Sequence, residues 1–395
     1  MRTSTRPALA RNFSGGPGAL PRRVLEQAQE AVLELPNTGV SILGLSHRSE
    51  RFRAILDEAE ERVRRLAHLP KTHHVLFLQG GGTLQFSMIP LTMLPPKRSA
   101  DYLVTGYWSK KSVEAARYHG QVRVAWNGEP DGFRCLPGQD APLGASDAAY
   151  LHYVSNETVD GLQFPAVPSS PAPIVCDASS DFLSRPCDMS RVSLLYAHAQ
   201  KNLGPAGVTI VLVDEQVLAH RPSGLPPILD YRAHADARSL LHTPAVFSCY
   251  VVLLSLRWLE DDMGGLVNMG RINHEKAAMV REALRLAAPF YTSSVEPACA
   301  SDMNVVFRCP TPALDARFVE HADSAGLVGT KGHRSRGGLR ISLYNGVTLE
   351  DARAMAQFLL EFAHQHRDQV IPAPPRCISP QGGDARSEHV ALPMS

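Results

Sequence analysis

Seven short apolar runs recur between residues 75 and 213, most of them closed by a polar or glycine-containing turn, and this recurrence limits the fold more than any other feature. Val75-Leu76-Phe77-Leu78 is followed by runs at 101-105, 122-126, 148-154, 173-177, 192-197 and 208-213. Runs without polar alternation suit strands covered on both faces, and the intervening stretches 84-94 and 109-119 read as helices. The pattern predicts an α/β fold, with a mostly parallel seven-stranded sheet between helical layers.

The flanks add a second unit. Residues 1-11 read as a polar lead, and Asn12-Phe13-Ser14-Gly15-Gly16-Pro17-Gly18 as a turn whose backbone can approach another group closely. Pro21 opens a helix with Leu25, Ala28, Val32 and Leu35 spaced three and four apart. Ser46-His47-Arg48-Ser49 precedes a second helix. That helix carries Phe52, Ile55, Leu56, Ala59, Val63 and Leu66 on one face, with Glu58/Arg62 and Glu61/Arg65 paired on the other. Two long helices, 245-262 and 266-287, lead away from the sheet. Strands 304-309 and 339-344 with helices 312-325 and 348-366 then form a smaller α+β unit. The division predicted is a large domain over 12-262, a small C-terminal domain over 263-366, and a proline-rich disordered tail over 367-395.

At 44% apolar, 20% charged and a net charge of +1, nothing in the composition draws the chain to nucleic acid or a membrane surface. The longest apolar run, Tyr250 to Leu256, is too short to span a bilayer, and the N-terminus lacks the apolar core of a signal peptide. A cytoplasmic protein is expected. Seven cysteines without a C-x-x-C pair read as reduced thiols, with no metal site.

Chemistry concentrates around Tyr196-Ala197-His198-Ala199-Gln200-Lys201-Asn202-Leu203-Gly204-Pro205-Ala206-Gly207, between the last two apolar runs. Burial there disfavours an ammonium, lowers the lysine pKa and frees the amine for a Schiff base with an aldehyde. Ile174-Val175-Cys176-Asp177 ends a buried strand on a carboxylate. Alone, each is an ordinary strand end or turn. Together they fit pyridoxal phosphate, which needs an amine for its aldehyde and an acid for its ring nitrogen. Gln79-Gly80-Gly81-Gly82-Thr83 leads from a strand into a helix, where free amides and the helix dipole suit a phosphate. Trp108, at Gly106-Tyr107-Trp108, follows a strand end where an indole could stack on a flat ring, although core packing is the commoner fate of a tryptophan. Thr158, in Ser155-Asn156-Glu157-Thr158-Val159-Asp160-Gly161, lies in a loop at the carboxyl end of a strand, where ligands bind. Lys331-Gly332-His333-Arg334-Ser335-Arg336-Gly337-Gly338-Leu339-Arg340 gathers five basic side chains in a loop suited to anions.

In their order and spacing, from about residue 12 to 366, these motifs resemble the phosphoserine aminotransferase family, class V pyridoxal-phosphate-dependent aminotransferases of fold type I. The resemblance implies that Lys201 carries the Schiff base and Asp177 holds the ring nitrogen. It implies Trp108 stacked on the ring and Thr158 near the ring oxygen. Gly82, Thr83 and Gln200 match phosphate contacts, joined by His242 and Thr243 from the second subunit of a homodimer. Ser14 falls among the substrate contacts. His47, Arg48, His333 and Arg334 match the pocket for the distal phosphate or carboxylate of substrate, and Arg340 the clamp on the α-carboxylate.

The implied reaction is transamination between glutamate and 3-phosphohydroxypyruvate in serine synthesis, extending to 4-phosphohydroxy-L-threonine in pyridoxine synthesis. A related aminotransferase of specialised metabolism, with another 2-oxo acid as acceptor, is the alternative. A cofactor-binding protein without turnover is a third, against which Lys201, Asp177 and Arg340 all stand. Three positions depart from the family pattern: His198 where glycine is common, His242 where asparagine is usual, and Thr83 where some members carry arginine. An imidazole at 198 cannot allow the close backbone approach that glycine does, and narrows or retunes the site.

Overall fold

The computed structural model describes residues 9-138 and 141-369. The seven apolar runs form one sheet from β1 (His73–Leu78), β2 (Ser99–Val104), β3 (Gln121–Asn127), β4 (Leu151–Val154), β5 (Ile174–Asp177), β6 (Leu194–His198) and β7 (Thr209–Asp214). Across the sheet the order is β3-β2-β4-β5-β6-β7-β1. Neighbours are parallel except at β7, which runs antiparallel to both β6 and β1. The short link 199-208 leaves no room for the crossover that a parallel β6-β7 pair needs, so the chain turns back on itself.

Alternate residues of each strand enter opposite cores, as the two-residue strand period requires. Cys176, Leu195, Ala197, Ile210 and Leu212 pack with helices Glu50–Leu66 and Val246–Arg257. Val175, Leu194, Tyr196, Val211 and Val213 face helix Gly81–Met93. All six apolar positions expected inside on helix Glu50–Leu66 are buried, and Ser49 caps it by accepting from the Phe52 amide at 3.2 Å. Helix Arg22–Leu33 is turned by about one residue from the face expected. Val24, Ala28 and Ala31 are inside, whereas Leu25 and Val32 are exposed. Apolar residues occupy both sides of this helix, and the smaller set faces helix Val246–Arg257.

The helix expected over 245-262 is α-helical to Arg257 and continues as a π-helical turn over Trp258–Asp262. In the C-terminal part, Asn304–Phe307 and Leu339–Ser342 pair antiparallel, flanked by helices Pro312–Ser324 and Leu349–Gln365. Phe13, Phe290, Tyr291, Phe318 and Phe362 fill a separate core there. Arg11 does not belong to a free lead: Arg11–Asn12 pair in parallel with Leu327–Val328, because their backbone groups complete an otherwise open strand edge. Arg367–Gln369 form a short 3-10 turn on the last helix, where the tail was expected to begin. The rest of the expected tail, from 370, and residues 1-8 lie outside the described residues. Among the described residues, no helix is long and apolar enough to cross a membrane.

Lys276, on helix Leu266–Leu286, is fully buried and donates to the carbonyls of Leu343, Tyr344 and Val347 at 3.0, 2.9 and 2.9 Å. It ties that helix to the turn after Leu339–Ser342. The same turn reaches the cleft at the carboxyl end of β5: Tyr344 Oη donates to the Gly15 carbonyl at 2.9 Å, and the Asn345 amide to Asn202 Oδ1 at 2.8 Å.

Candidate active site

A cavity of about 260 Å³ opens at the carboxyl ends of β4 and β5 and beside the short helix Ala199–Asn202. The turn that ends β6 brings Lys201 to its floor. Its Nζ donates to Thr158 Oγ1 at 3.1 Å and lies 5.5 Å from the centre of the Trp108 ring. Burial, helped by the Arg340 charge, brings its pKa down to about 8, against the opposing pull of Asp177 and Glu157. A minority of this amine, far larger than for an ordinary lysine, is therefore neutral near physiological pH.

Asp177 ends β5 and is 5% exposed. Burial pushes its carboxyl upward, while the Ser179 hydroxyl and N–H, the Tyr196 hydroxyl and the Lys201 charge pull it back. The Ser179 amide donates to Oδ1 at 2.9 Å. A carboxylate so desolvated is best matched by a cationic donor such as a protonated ring nitrogen. Among the described residues, two buried donors of the cleft, Arg340 Nε and Trp108 Nε1, have no partner. Unpaired buried donors are rare in a folded protein and mark places where a ligand supplies the acceptors.

Gly82 and Thr83 stand in the first turn of helix Gly81–Met93, and Gln200 faces the same cavity. The glycine-rich segment ahead of the first helix forms the opposite wall. A Cβ on Gly15 would lie 2.1 Å from Arg340 Nη2, so glycine here lets the backbone pass over that guanidinium where it stands. Arg340 is also held by its Nη1, 3.4 Å from the Thr158 carbonyl. His333 reaches the cleft from the basic loop, with its ring 4.7 Å from that of Tyr107 and 6.5 Å from that of Trp108.

The structure thus gathers Gly82, Thr83, Trp108, Thr158, Asp177, Gln200, Lys201, His333 and Arg340 around one cavity. Ser14, His47, Arg48, Arg334, His242 and Thr243 do not line it. Ser14 is turned toward Gly329, and Arg334 is exposed. His47 and Arg48 sit in the loop ahead of helix Glu50–Leu66, and Gln79 donates to the Thr243 carbonyl at 3.1 Å.

Sequence reasoning passed over the two carboxylates of the Thr158 loop. Glu157 accepts from the Trp108 and Ser109 amides at 3.0 and 2.9 Å and from Ser109 Oγ at 2.6 Å. Asp160 accepts from the Tyr107 amide at 2.7 Å. Both cap helix Tyr107–Ala116, where the dipole favours negative charge, and so fix the backbone that carries Trp108. Burial and their mutual repulsion push both carboxyls upward, and these donors oppose that push. Arg336 closes the group by donating to Asp160 Oδ1 at 2.7 Å, which joins the basic loop to the same helix. The sequence carried no signal for this pairing, because the helix they cap is distant along the chain.

Residues 11–355 match the family Aminotransferase class-V. A phosphoserine aminotransferase of Laribacter hongkongensis is 46% identical over 355 residues, covering 90% of this chain and 99% of that protein. The phosphoserine aminotransferase structure from Bacillus circulans superposes with a TM-score of 0.88 at 41% identity, covering 90% of this chain and 99% of that one. A pyridoxal-phosphate-bound phosphoserine aminotransferase from Trichomonas vaginalis superposes with a TM-score of 0.84 at 35% identity, over 89% of this chain and 99% of that one. The neutralisable lysine, the desolvated acid and the unpaired donors fit the same cofactor, pyridoxal phosphate. With sequence, fold and cleft in agreement, the chain belongs to the class V aminotransferases and, within them, to the phosphoserine aminotransferase family.

Proposed function

We propose that the chain transfers the amino group of L-glutamate to 3-phosphohydroxypyruvate, giving O-phospho-L-serine and 2-oxoglutarate. The observation that carries this reading is one cavity joining Lys201, Asp177 and the Gly82-Thr83 helix start to Arg340 and the basic loop. When bound, pyridoxal phosphate supplies the aldehyde that takes the amino group and the ring that accepts the electron pair released at the substrate α-carbon.

The chain's own residues do the rest. Lys201 would hold the cofactor by its aldehyde, and its amine, lowered in pKa, would take the proton from the substrate α-carbon. Asp177 would keep the ring nitrogen protonated, and Trp108 would cover the ring. Thr158 Oγ1, which accepts from the amine, would hold the ring oxygen. Gly82, Thr83 and Gln200 hold the cofactor phosphate. Arg340 clamps the α-carboxylate that donor and acceptor share, through two parallel hydrogen bonds.

The distal anion is assigned to His333 and Arg334 from the basic loop, with His47 and Arg48 from a second copy of the chain and Ser14 beside them. His242 and Thr243 of that second copy reach the cofactor phosphate in this reading. A homodimer is inferred because, of these seven residues, His333 alone lines the cleft of its own chain. Serine synthesis in the cytoplasm follows as the setting, with 4-phosphohydroxy-L-threonine as a second product for pyridoxine synthesis.

The test is an acceptor panel with glutamate as donor. The kcat/KM for 3-phosphohydroxypyruvate is expected to exceed that for non-phosphorylated 2-oxo acids by about 100-fold, the worth of one or two charge-assisted contacts. Equal or better use of an uncharged acceptor overturns the substrate assignment in favour of a different 2-oxo acid.

A further inference from the structure

His198 lines the cavity without a part in the chemistry above. It ends β6, and its ring lies against the start of helix Gly81–Met93, where Nε2 accepts the Gly82 amide. A Cβ on Gly81 or on Gly82 would come within 2.6 Å of the imidazole, so glycine at both positions is what makes room for this ring. The groups facing it are Lys201, the Tyr196 ring beside Gly82, and the amide end of the helix, with its partial positive charge. Burial first, and then the Lys201 charge, push its pKa down to about 4, so the imidazole is neutral at physiological pH. A neutral ring that accepts at Nε2 carries its proton on Nδ1.

This arrangement conflicts with an anion in the same seat. The Gly82 amide belongs to the free N–H groups of a helix start, the groups that an anion attracts most strongly. If a phosphate took that amide while the ring kept its proton on Nδ1, the Nε2 lone pair would be left facing an anion in a buried site. An imidazole relieves that repulsion by carrying its proton on the other nitrogen, and the nitrogen it uses is set by the partner it meets.

We propose that His198 is a phosphate-binding residue of this chain, its Nε2, which here accepts the Gly82 amide, donating to the cofactor phosphate once that amide has turned to the anion. The ring stays neutral throughout, so only the tautomer changes. The seat gains a donor that the helix amides, Thr83 and Gln200 do not supply. This rests on the assignment of the cofactor phosphate to the Gly82-Thr83 helix start.

The experiment measures binding, not turnover. Cofactor-free protein is titrated with pyridoxal phosphate and with pyridoxal, which lacks the phosphate, following quenching of tryptophan fluorescence, for the parent, His198→Gly and His198→Gln. The parent is expected to prefer pyridoxal phosphate strongly. His198→Gly should lose about tenfold of that preference, the worth of one hydrogen bond to an ion, with its pyridoxal affinity unchanged. His198→Gln, which restores an N–H donor, should stay within about threefold of the parent. If His198→Gly keeps or gains preference for the phosphate, the ring only obstructs the seat and the proposal is overturned. It is equally overturned if the glutamine variant falls as far as glycine, or if pyridoxal affinity falls in parallel. A parent with no preference for the phosphorylated ligand instead rejects the phosphate seat itself.

Discussion

At the residue scale, the site depends on two ionisable groups that burial moves in opposite senses: the Lys201 ammonium is destabilised downward and the Asp177 carboxylate upward. The lysine result gives a pH signature. Only the neutral amine attacks an aldehyde, and a pKa near 8 in place of the ordinary 10.5 makes that form dominant above pH 8. The second-order rate at which cofactor-free protein takes up pyridoxal phosphate should rise about tenfold per pH unit below 8 and level off above it. A rate that keeps climbing toward pH 10 would show an unperturbed lysine. For the acid, Asp177→Asn removes the charge proposed to keep the ring nitrogen protonated while preserving shape. A fall in kcat of roughly 100-fold, about 2.7 kcal/mol in barrier, with cofactor affinity within a few-fold, is expected from steady-state kinetics and titration. Unchanged turnover would remove Asp177 from the chemistry.

At the scale of elements, the buried ammonium of Lys276 joins helix Leu266–Leu286 to the turn that sends Tyr344 and Asn345 toward the cleft. Lys276→Met fills the same space but strands three buried carbonyls, at a cost of about 3 kcal/mol. Denaturant unfolding should show that loss in the midpoint with little change in slope, and a stability equal to the parent's would mean that the tie carries no net energy. This lysine gave no sequence signal, because it sits on an amphipathic helix where lysine normally faces water. The strands were easy to read for the opposite reason: double-sided burial leaves an apolar run such as Val208 to Val213 with no competing explanation. Direction was not readable. That β7 runs antiparallel follows from the short link after Lys201, a matter of connection length rather than of residue type. The face of Arg22–Leu33 was misplaced because apolar residues line both of its sides. Lys201, Asp177, Gly82 and Arg340 stood out as chemically odd residues at strand or helix ends. Glu157 and Asp160 did not, since a carboxylate capping a helix distant in sequence looks like any polar loop residue until the fold brings them together.

On the scale of the whole molecule, the proposed pocket is completed by a second copy. A two-fold interface would repeat each contact, so one dimer holds two composite sites. Inactive Lys201→Ala protein is mixed, unfolded and refolded with inactive Arg48→Ala in one sample and with inactive Arg334→Ala in another. A hybrid dimer in which the arginine acts across the interface contains one site with intact lysine and intact arginine. The Arg48 mixture is expected to recover activity, up to one working site per hybrid, and the Arg334 mixture to stay inactive, since His333 of the same loop lines its own chain's cleft. No recovery in either mixture, with hybrids demonstrably formed, excludes the shared pocket. In the proposed function Lys201 is the amine that holds the cofactor, whichever chain supplies the arginines. This is tested most directly by reducing the cofactor-loaded protein with borohydride, digesting it, and locating the added pyridoxyl mass. Modification confined to the peptide carrying Lys201, and lost in Lys201→Ala, is the expected result; the same mass on any other lysine contradicts the assignment.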